Sequence, residues 1–346
     1  MELSNFEKTE LALDSLIDVL PDFCRDFFIG TSTINTSRTQ IRYAYSLKIF
    51  FDYLKDVVGI SDITLEYLDS LTPKDIEEYL FYTTTYVDQN GKVRNNQAVT
   101  KSNKLSALRS FYKYLYAHDM LQNNPAILVN TPKIRKKELT TLSPDEIGRI
   151  LDKIYTGNGL SKRQMNFANK TRYRDYAIFV LLLSSGMRVS ELVGIDMSDI
   201  NFDSCEIKII RKGLKEQIIY MSDEAEKALK EYIEYERGSL VGNQKDLTAL
   251  FVSLKHQRIS VRAVESMVKK FTSGVTVKKI SPHKLRTTFG NTLYNETGDI
   301  YLTATALGHE SVNTTSQYYS RVDRERVRSA RNIVKINEDW YYLNII

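Results

Sequence analysis

The second half of the chain is organised around FVLLLSSGMRVSELVGIDMSDINFD, which spans Phe179–Asp203. Its apolar run has the composition of a core helix and stops at Ser185 and Gly186, because glycine readily ends a helix. Arg188 and Glu191 follow at the start of a new helix. The pattern predicts a helix, a break and a second helix whose first turn holds an arginine stiffly, with Glu191 orienting it.

A hairpin pattern follows directly. EIKIIRKGLKEQIIYM, residues 206–221, has two apolar alternating segments on either side of RKGLK. Such alternation around a short glycine-containing turn predicts two antiparallel strands. Lys212, with Gly213 beside it, would project from the turn at the edge of a small sheet.

A third segment places a histidine and an arginine at a helix start. SPHKLRTTFGNTLY, residues 281–294, offers Ser281 as the N-cap and Pro282 as the first helical residue. His283 and Arg286 are three residues apart, so they share one face of the first turn.

A histidine and a tyrosine pair lie near the C-terminus. LGHESVNTTSQYYSRV, residues 307–322, contains His309 followed by Tyr318 and Tyr319. Arginines, a lysine, histidines and a tyrosine are the side chains that phosphoryl transfer without a metal requires. The second half of the chain therefore predicts a catalytic domain.

The N-terminal part of the chain predicts helices. The segment before about Thr31 is expected to form one amphipathic helix, residues 39–55 carry apolar side chains at helical spacing, and Pro73 marks the start of another helix. The pattern over residues 97–120 has one apolar and one basic face. Its basic face offers candidates for DNA contacts, namely Lys101, Lys104 and Arg109.

A proline- and lysine-bearing stretch separates the two parts, and a new helix starts with Ser143 as N-cap and Pro144 behind it. The predicted organisation is a helical DNA-binding domain at residues 1–130, a linker at 131–141, a catalytic domain at 142–332 and an apolar C-terminal tail at 333–346.

Composition excludes several classes of protein. No apolar run is long enough to span a bilayer, and the N-terminus has no signal-peptide pattern, which favours a cytoplasmic protein without membrane contact. Cys24 and Cys205 are far apart in sequence and show no metal-ligand spacing, so no metal or disulfide framework is expected. The net charge is +5, and basic residues cluster at 131–146, 161–174 and 321–332, which favours a polyanionic partner.

These motifs together resemble the tyrosine recombinases, the family of phage integrases, Cre and the Xer proteins. The resemblance covers nearly the whole chain. It rests on GMRVSEL, RKGLK, HKLR, LGH and the tyrosine pair, in that order. Each motif alone is weak, but five in the correct order are highly specific. The resemblance implies a mainly α fold: a helical SAM-like core-binding domain and a mixed α/β catalytic domain with a small antiparallel sheet.

The resemblance also implies residue roles. Tyrosine would attack a DNA phosphodiester and form a 3′-phosphotyrosyl bond without a cofactor, and two rounds of exchange through a Holliday junction would recombine two duplexes. Arg188 and Arg286 would hold the non-bridging oxygens, and Lys212 would protonate the leaving 5′-oxygen. His283 would take the tyrosine proton, and His309 would donate a hydrogen bond to the phosphate.

Two tyrosines compete for the role of nucleophile. Tyr318 lies nine residues after His309, a spacing known from Cre-like and Xer-like members, whereas Tyr319 lies ten residues after it, as in other integrases. The downstream sequence YSRVDRERV, which starts at Tyr319, resembles the family's stretch after the nucleophile. The sequence therefore favours Tyr319, with Tyr318 as the alternative.

The implied partners are double-stranded DNA with specific sites, a homo-tetramer on two duplexes, and an accessory directionality or regulatory protein. The tail would either dock on the neighbouring protomer and couple the tetramer, or pack on its own domain. Integration or excision of a mobile element and dimer resolution both fit a two-domain, Xer-like chain. A type IB topoisomerase-like enzyme that relaxes DNA is one alternative. A non-enzymatic DNA-binding protein is the other, although competent residues fill all the catalytic positions.

Overall fold

The computed structural model describes residues 5–87, 91–133, 139–211, 215–243, 247–309 and 311–312. Its chain divides into two compact units, residues 1–137 and 138–346. Helices dominate both units and the strands form small antiparallel sheets, which confirms the predicted fold class. Within the described ranges, no helix is long and apolar enough to cross a membrane. The predictions for Lys212, Tyr318, Tyr319 and the tail fall on residues outside these ranges.

The first unit is a helical bundle with one hairpin. Its helices are α1 (Asn5–Ile17), α2 (Phe23–Thr31), α3 (Ser37–Tyr53), α4 (Leu65–Ser70), α5 (Pro73–Tyr82) and α6 (Ala98–Ala117). Strands β1 (Thr85–Val87) and β2 (Val93–Asn95) pair antiparallel between α5 and α6. The core is rich in aromatic rings. The rings of Phe27 and Phe111 pack edge-to-face with their centroids 5.4 Å apart, and those of Phe50 and Tyr79 do so at 5.0 Å. Such edge-to-face pairs are stabilising beyond their buried area.

The prediction of one helix before Thr31 is wrong, because the chain forms α1 and α2 there. Pro21 lies in the break between them. A proline lacks the backbone N–H that a helix interior needs, and its ring clashes with the preceding turn. The amphipathic pattern continues across the break because both helices pack against the same aromatic core, in which Leu13 and Phe27 are buried.

The second unit combines helices with a three-stranded sheet. Its helices are α7 (Pro144–Thr156), α8 (Lys162–Ala168), α9 (Arg172–Ser185), α10 (Val189–Gly194), α11 (Asp223–Tyr232), α12 (Gly238–Val241), α13 (Val261–Thr272), α14 (Pro282–Thr297) and α15 (Ile300–Leu307). Its strands are β3 (Ile200–Asn201), β4 (Glu206–Ile210) and β5 (Glu216–Tyr220). The predicted start of α7 is confirmed, since Ser143 accepts a hydrogen bond from the Glu146 backbone and Glu146 accepts one from that of Ser143.

Helix α9 lies at the centre of this unit and packs against α7, α11 and α14. Ile178, Phe179, Leu181 and Leu182 expose no surface, although they point in different directions around the helix. A helix that is apolar on all sides is stable only when other elements cover it. The other helices therefore pack around α9, and α10 begins directly after its C-terminal turn.

The sheet has the antiparallel order β3-β4-β5. The register of β4 and β5 runs from Glu206 opposite Tyr220 to Ile210 opposite Glu216, which confirms the predicted hairpin. Ile207 and Ile209 are buried on the inner face, while intervening residues are exposed or half-buried. One face of the sheet thus packs on the core of the second unit.

Candidate active site

The turn after α9 has the backbone that the sequence predicted. Gly186 has a φ of 62°, in the left-handed region that favours glycine. A Cβ atom at this position would lie 2.2 Å from Cδ1 of Phe289 on α14. Glycine is therefore required both for the turn and for the close approach of α14.

Arg188 is the N-cap residue of α10 and is held by Glu191. The Glu191 carboxylate accepts hydrogen bonds from the Arg188 backbone N–H and from Nη1, both at 2.7 Å. The Glu191 side chain is 3% exposed, whereas that of Arg188 is 41% exposed. Glu191 thus fixes the guanidinium on its protein-facing side, and the solvent-facing side stays open to a substrate.

Arg286 connects three parts of the site. It is 4% exposed on the first turns of α14. Its Nη1 donates to the carbonyl oxygen of Gly186 at 2.6 Å, and its Nη2 donates to that of Leu307 at the end of α15. These two bonds turn the guanidinium toward the protein, so it braces the site in this structure.

His309 follows the C-terminal end of α15, and its backbone N–H donates to the carbonyl oxygen of Ala304 at 2.9 Å. Burial, followed by the positive charges of Arg286, Arg188 and Arg211, lowers the pKa of His309 to about 4. The imidazole is therefore neutral at pH 7 and can donate one hydrogen bond.

His283 is also neutral at pH 7. Although His283 is exposed as a residue, partial burial of its imidazole lowers the pKa of the ring, and the charges of Arg286, Lys284 and Arg188 lower it further. A neutral imidazole can accept a proton, as a general base must.

The structure thus brings together four of the predicted catalytic residues from three separate segments of the second unit. They are Arg188, His283, Arg286 and His309. Lys212 and both candidate nucleophiles lie outside the described residues. Among the residues described, no group of three or more His, Cys, Asp or Glu side chains could hold a metal ion.

Sequence reasoning missed Arg211, which immediately precedes Lys212. Its Nη1 donates to the carbonyl oxygen of Leu307 at 2.6 Å, so the Leu307 oxygen accepts from two arginines. The sequence offered no signal for this contact, because the two residues are 96 positions apart.

The DNA-binding candidates on α6 have internal partners in the first unit. Lys101 Nζ donates to Thr84 Oγ1 at 2.6 Å, and Lys104 is only 7% exposed, so that burial lowers its pKa. Arg109 donates to the carbonyl oxygens of Ala126 and Val129, and to the hydroxyl of Thr131 at 2.9 Å. The basic face read from the sequence is therefore partly a network that ties α6 to the segment after it.

A more exposed basic face lies on α3. Arg38, Arg42 and Tyr45 are exposed and line a groove of about 520 Å³ between α3 and α6. Their spacing of four and three residues puts them on one helix face. That spacing is visible in the sequence and could have identified them.

Comparisons with known proteins agree with this architecture. The sequence profile "Phage integrase family" matches residues 140–326, and "Phage integrase SAM-like domain" matches residues 19–131. Tyrosine recombinase XerC of Caldanaerobacter subterraneus is 33% identical over 90% of this chain and 86% of its own length. Tyrosine recombinase XerS of Streptococcus mutans is 31% identical over 91% of this chain and 96% of its own length.

Solved structures share the fold. XerH bound to its difH substrate has a TM-score of 0.62 at 24% identity, covering 85% of this chain and 79% of that one. The Tn1549 transposon integrase in complex with a circular-intermediate DNA has a TM-score of 0.64 at 19% identity, covering 93% and 98%. Because the family profile spans more than half of the chain and two curated relatives align along nearly its whole length, the chain belongs to the phage integrase family and is a Xer-like, tyrosine-type site-specific recombinase.

Proposed function

We propose that this recombinase cleaves and rejoins double-stranded DNA with Tyr319 as its nucleophile. The observation that carries the proposal is the convergence of Arg188, His283, Arg286 and His309 around the ends of α9 and α15. A cationic cluster with two neutral imidazoles provides both charge for a phosphate and a base for a phenol. DNA-bound relatives such as XerH with difH support DNA as the substrate.

In the proposed cleavage step, the tyrosine oxygen attacks phosphorus and its proton passes to His283. The bond from phosphorus to the 5′-oxygen breaks, and Lys212 protonates that oxygen. The products are a 3′-phosphotyrosyl bond and a free 5′-hydroxyl, so the bond energy is retained and no cofactor is consumed. The reverse step, with a 5′-hydroxyl from another duplex, exchanges strands through a Holliday junction.

The arginines contribute differently in this proposal. Arg188 is half-exposed and fixed by Glu191, so its outer N–H groups can bind a non-bridging oxygen as a fork. Arg286 would add positive charge near the same non-bridging oxygen. At the same time it donates hydrogen bonds to the carbonyl oxygens of Gly186 and Leu307. His309 donates its N–H to the phosphate. Together they stabilise charge that grows in the pentacoordinate transition state.

A nicked suicide substrate tests the nucleophile, because loss of the short cleaved strand traps the covalent adduct. Tyr319→Phe should abolish the adduct and Tyr318→Phe should leave it. An adduct that survives in Tyr319→Phe and disappears in Tyr318→Phe would reverse the assignment. Loss of the adduct in neither variant would reject both tyrosines.

We further propose that DNA binding uses both units, residues 1–130 and 142–332, joined by the linker at 131–141. In the first unit, Arg38 and Arg42 on α3 are exposed and can contact DNA phosphates. Lys101 on α6 can contact a phosphate if it releases Thr84. The tail at 333–346 is proposed to couple protomers in a tetramer on two duplexes, with an accessory protein setting direction. A chain lacking residues 333–346 that still forms tetrameric synapses would exclude the coupling role.

The alternative function is that of a topoisomerase-like enzyme, which relaxes supercoiled DNA without site preference. The recombinase relatives do not favour this alternative. A plasmid carrying no recombination site separates the two, because the recombinase should leave it supercoiled. We propose that the protein acts in the cytoplasm, because its proposed substrate is DNA. Genomic context distinguishes the biological roles: an attachment site or inverted repeats beside the gene indicate a mobile element, and their absence favours dimer resolution.

A further inference from the structure

Arg211 closes the end of β4 and reaches across to α15. Its backbone N–H donates to the carbonyl oxygen of Lys215 at 2.8 Å. Its side chain donates through Nη1 to the Leu307 oxygen at 2.6 Å and through Nη2 to the Ala306 oxygen at 3.5 Å. The last carbonyl groups of a helix have no partners within the helix. Arg211 therefore caps α15 from outside, directly before His309.

Gly308 is shaped to receive this guanidinium. Its φ is 58°, and a Cβ atom built on it would lie 1.2 Å from Nη1 and 2.0 Å from Cζ of Arg211. The guanidinium thus occupies the space that any other residue at position 308 would fill with its side chain. Since Arg286 also donates to Leu307, two arginines fix the peptide that carries His309.

Arg211 is also costly to bury. Its Nε is shielded from solvent and has no hydrogen-bond partner. A buried donor without a partner is unfavourable, and a helix end can be capped by less demanding groups. We therefore infer that the positive charge of Arg211 itself has a role at this position. The charge of Arg211 acts on the imidazole of His309 and is not among the causes that shift the pKa of His283.

We propose that Arg211 is a positioning residue for His309: it clamps residues 306–308 and thereby aims the imidazole at the scissile phosphate, without touching DNA itself. This inference rests on the proposed function, in which His309 donates to the phosphate. It adds a residue beside the six proposed catalytic side chains and links the end of β4 to the α15 terminus.

A double-mutant cycle tests the proposal through single-turnover adduct formation at saturating protein. Arg211→Met should slow adduct formation up to about 100-fold, as expected for a misplaced catalytic group. In a His309→Ala background it should have no further effect, because a positioning residue acts only through its target. Equal slowing in both backgrounds would overturn the inference, as would an unchanged rate in the single variant.

Arg237→Met is the matched control. Arg237 also binds backbone carbonyls of its own unit, those of Leu247, Ala249 and Leu250, but it is not among the charges that act on His309. DNA affinity and thermal unfolding are measured for both variants. If Arg211→Met does not fold, Arg211→Lys carries the test: it keeps the charge but not the two-carbonyl clamp, and its rate should fall while its adduct remains detectable.

The difference between His309 and His283 in an NMR titration gives a readout of the Arg211 contact that does not depend on cleavage. In Arg211→Met, the pKa of His309 should rise from about 4 toward its usual value, and that of His283 should stay constant. An unchanged pKa of His309 would overturn the inference even if cleavage were slow. If the wild-type protein forms no adduct at all, the proposed function fails, and this titration still tests the clamp.

Discussion

Replacing Glu191 with glutamine tests whether Arg188 must be held in one orientation. The carboxylate accepts the Arg188 backbone N–H and Nη1, each at 2.7 Å. A glutamine side chain has one oxygen, so it can accept only one of these bonds, and its NH2 group then faces the other donor. Glu191→Gln should therefore loosen the guanidinium without emptying the space around it.

The size of the effect follows from the lost bond. A hydrogen bond to a charged group contributes about 1.5–3 kcal/mol. Arg188 is 41% exposed, so solvent replaces part of that interaction and the lower end applies. A loss of about 1.5 kcal/mol from the productive orientation corresponds to roughly a tenfold slower cleavage step. DNA affinity should change much less, since it is spread over many phosphate contacts.

The assay is the rate of covalent adduct formation on the nicked substrate at saturating protein, alongside DNA affinity and thermal unfolding. Glu226→Gln is the matched control, because Glu226 pairs with Lys230 on α11 in an i,i+4 salt bridge outside the site. This control should cleave at the wild-type rate. The reasoning is refuted if Glu191→Gln cleaves at the wild-type rate, or if it loses affinity in proportion to rate.

Three further outcomes follow from the geometry. Burial and neighbouring arginines lower the pKa of His283 and bring that of His309 to about 4, so both rings should be neutral between pH 8 and pH 7. The second-order rate constant of adduct formation should therefore be level over this range, and a decline that begins above pH 7 would contradict this. Gly186→Ala should lower the free energy of unfolding in urea by about 3 kcal/mol, because alanine is strained in the left-handed region and its Cβ atom would clash with Phe289. Adding Phe289→Leu should recover part of that loss, and additive losses would argue against the clash. The slope of log affinity against log salt should become shallower by about 1 in Arg38→Gln if Arg38 contacts a phosphate, whereas an unchanged slope places Arg38 off the DNA.

Local features of the fold were predictable because their causes lie within a few residues. Ser143 with Pro144 marks the start of α7, and the glycine at 186 marks the end of α9, since caps and left-handed turns depend on short-range geometry. The alternation on either side of RKGLK similarly gave the β4–β5 hairpin. What failed locally was the stretch around Pro21, where continuous amphipathicity hid a break.

Contacts between distant residues were not predictable from one sequence. The helical pattern of α6 showed a basic face, but it could not show that Lys104 is buried or that Arg109 is bound to oxygens 17 to 22 residues away. Arg211 appeared in the sequence only as the first residue of RKGLK, and its partners on α15 could not be seen there. Such roles depend on which elements pack together, and no spacing rule encodes that.

The arrangement of charges explains how the same arginines can serve the free enzyme and the transition state. In the free protein, Arg188 and Arg286 disfavour a cationic His283, which keeps it ready to accept a proton. In the proposed cleavage step, negative charge grows on the phosphate as the tyrosine oxygen bonds to phosphorus, and this charge would offset the arginine charges as His283 becomes positive. Under this proposal, proton transfer to His283 becomes favourable only as the phosphorane forms. Interactions that strengthen only in the transition state accelerate the reaction, whereas those already present with bound substrate do not.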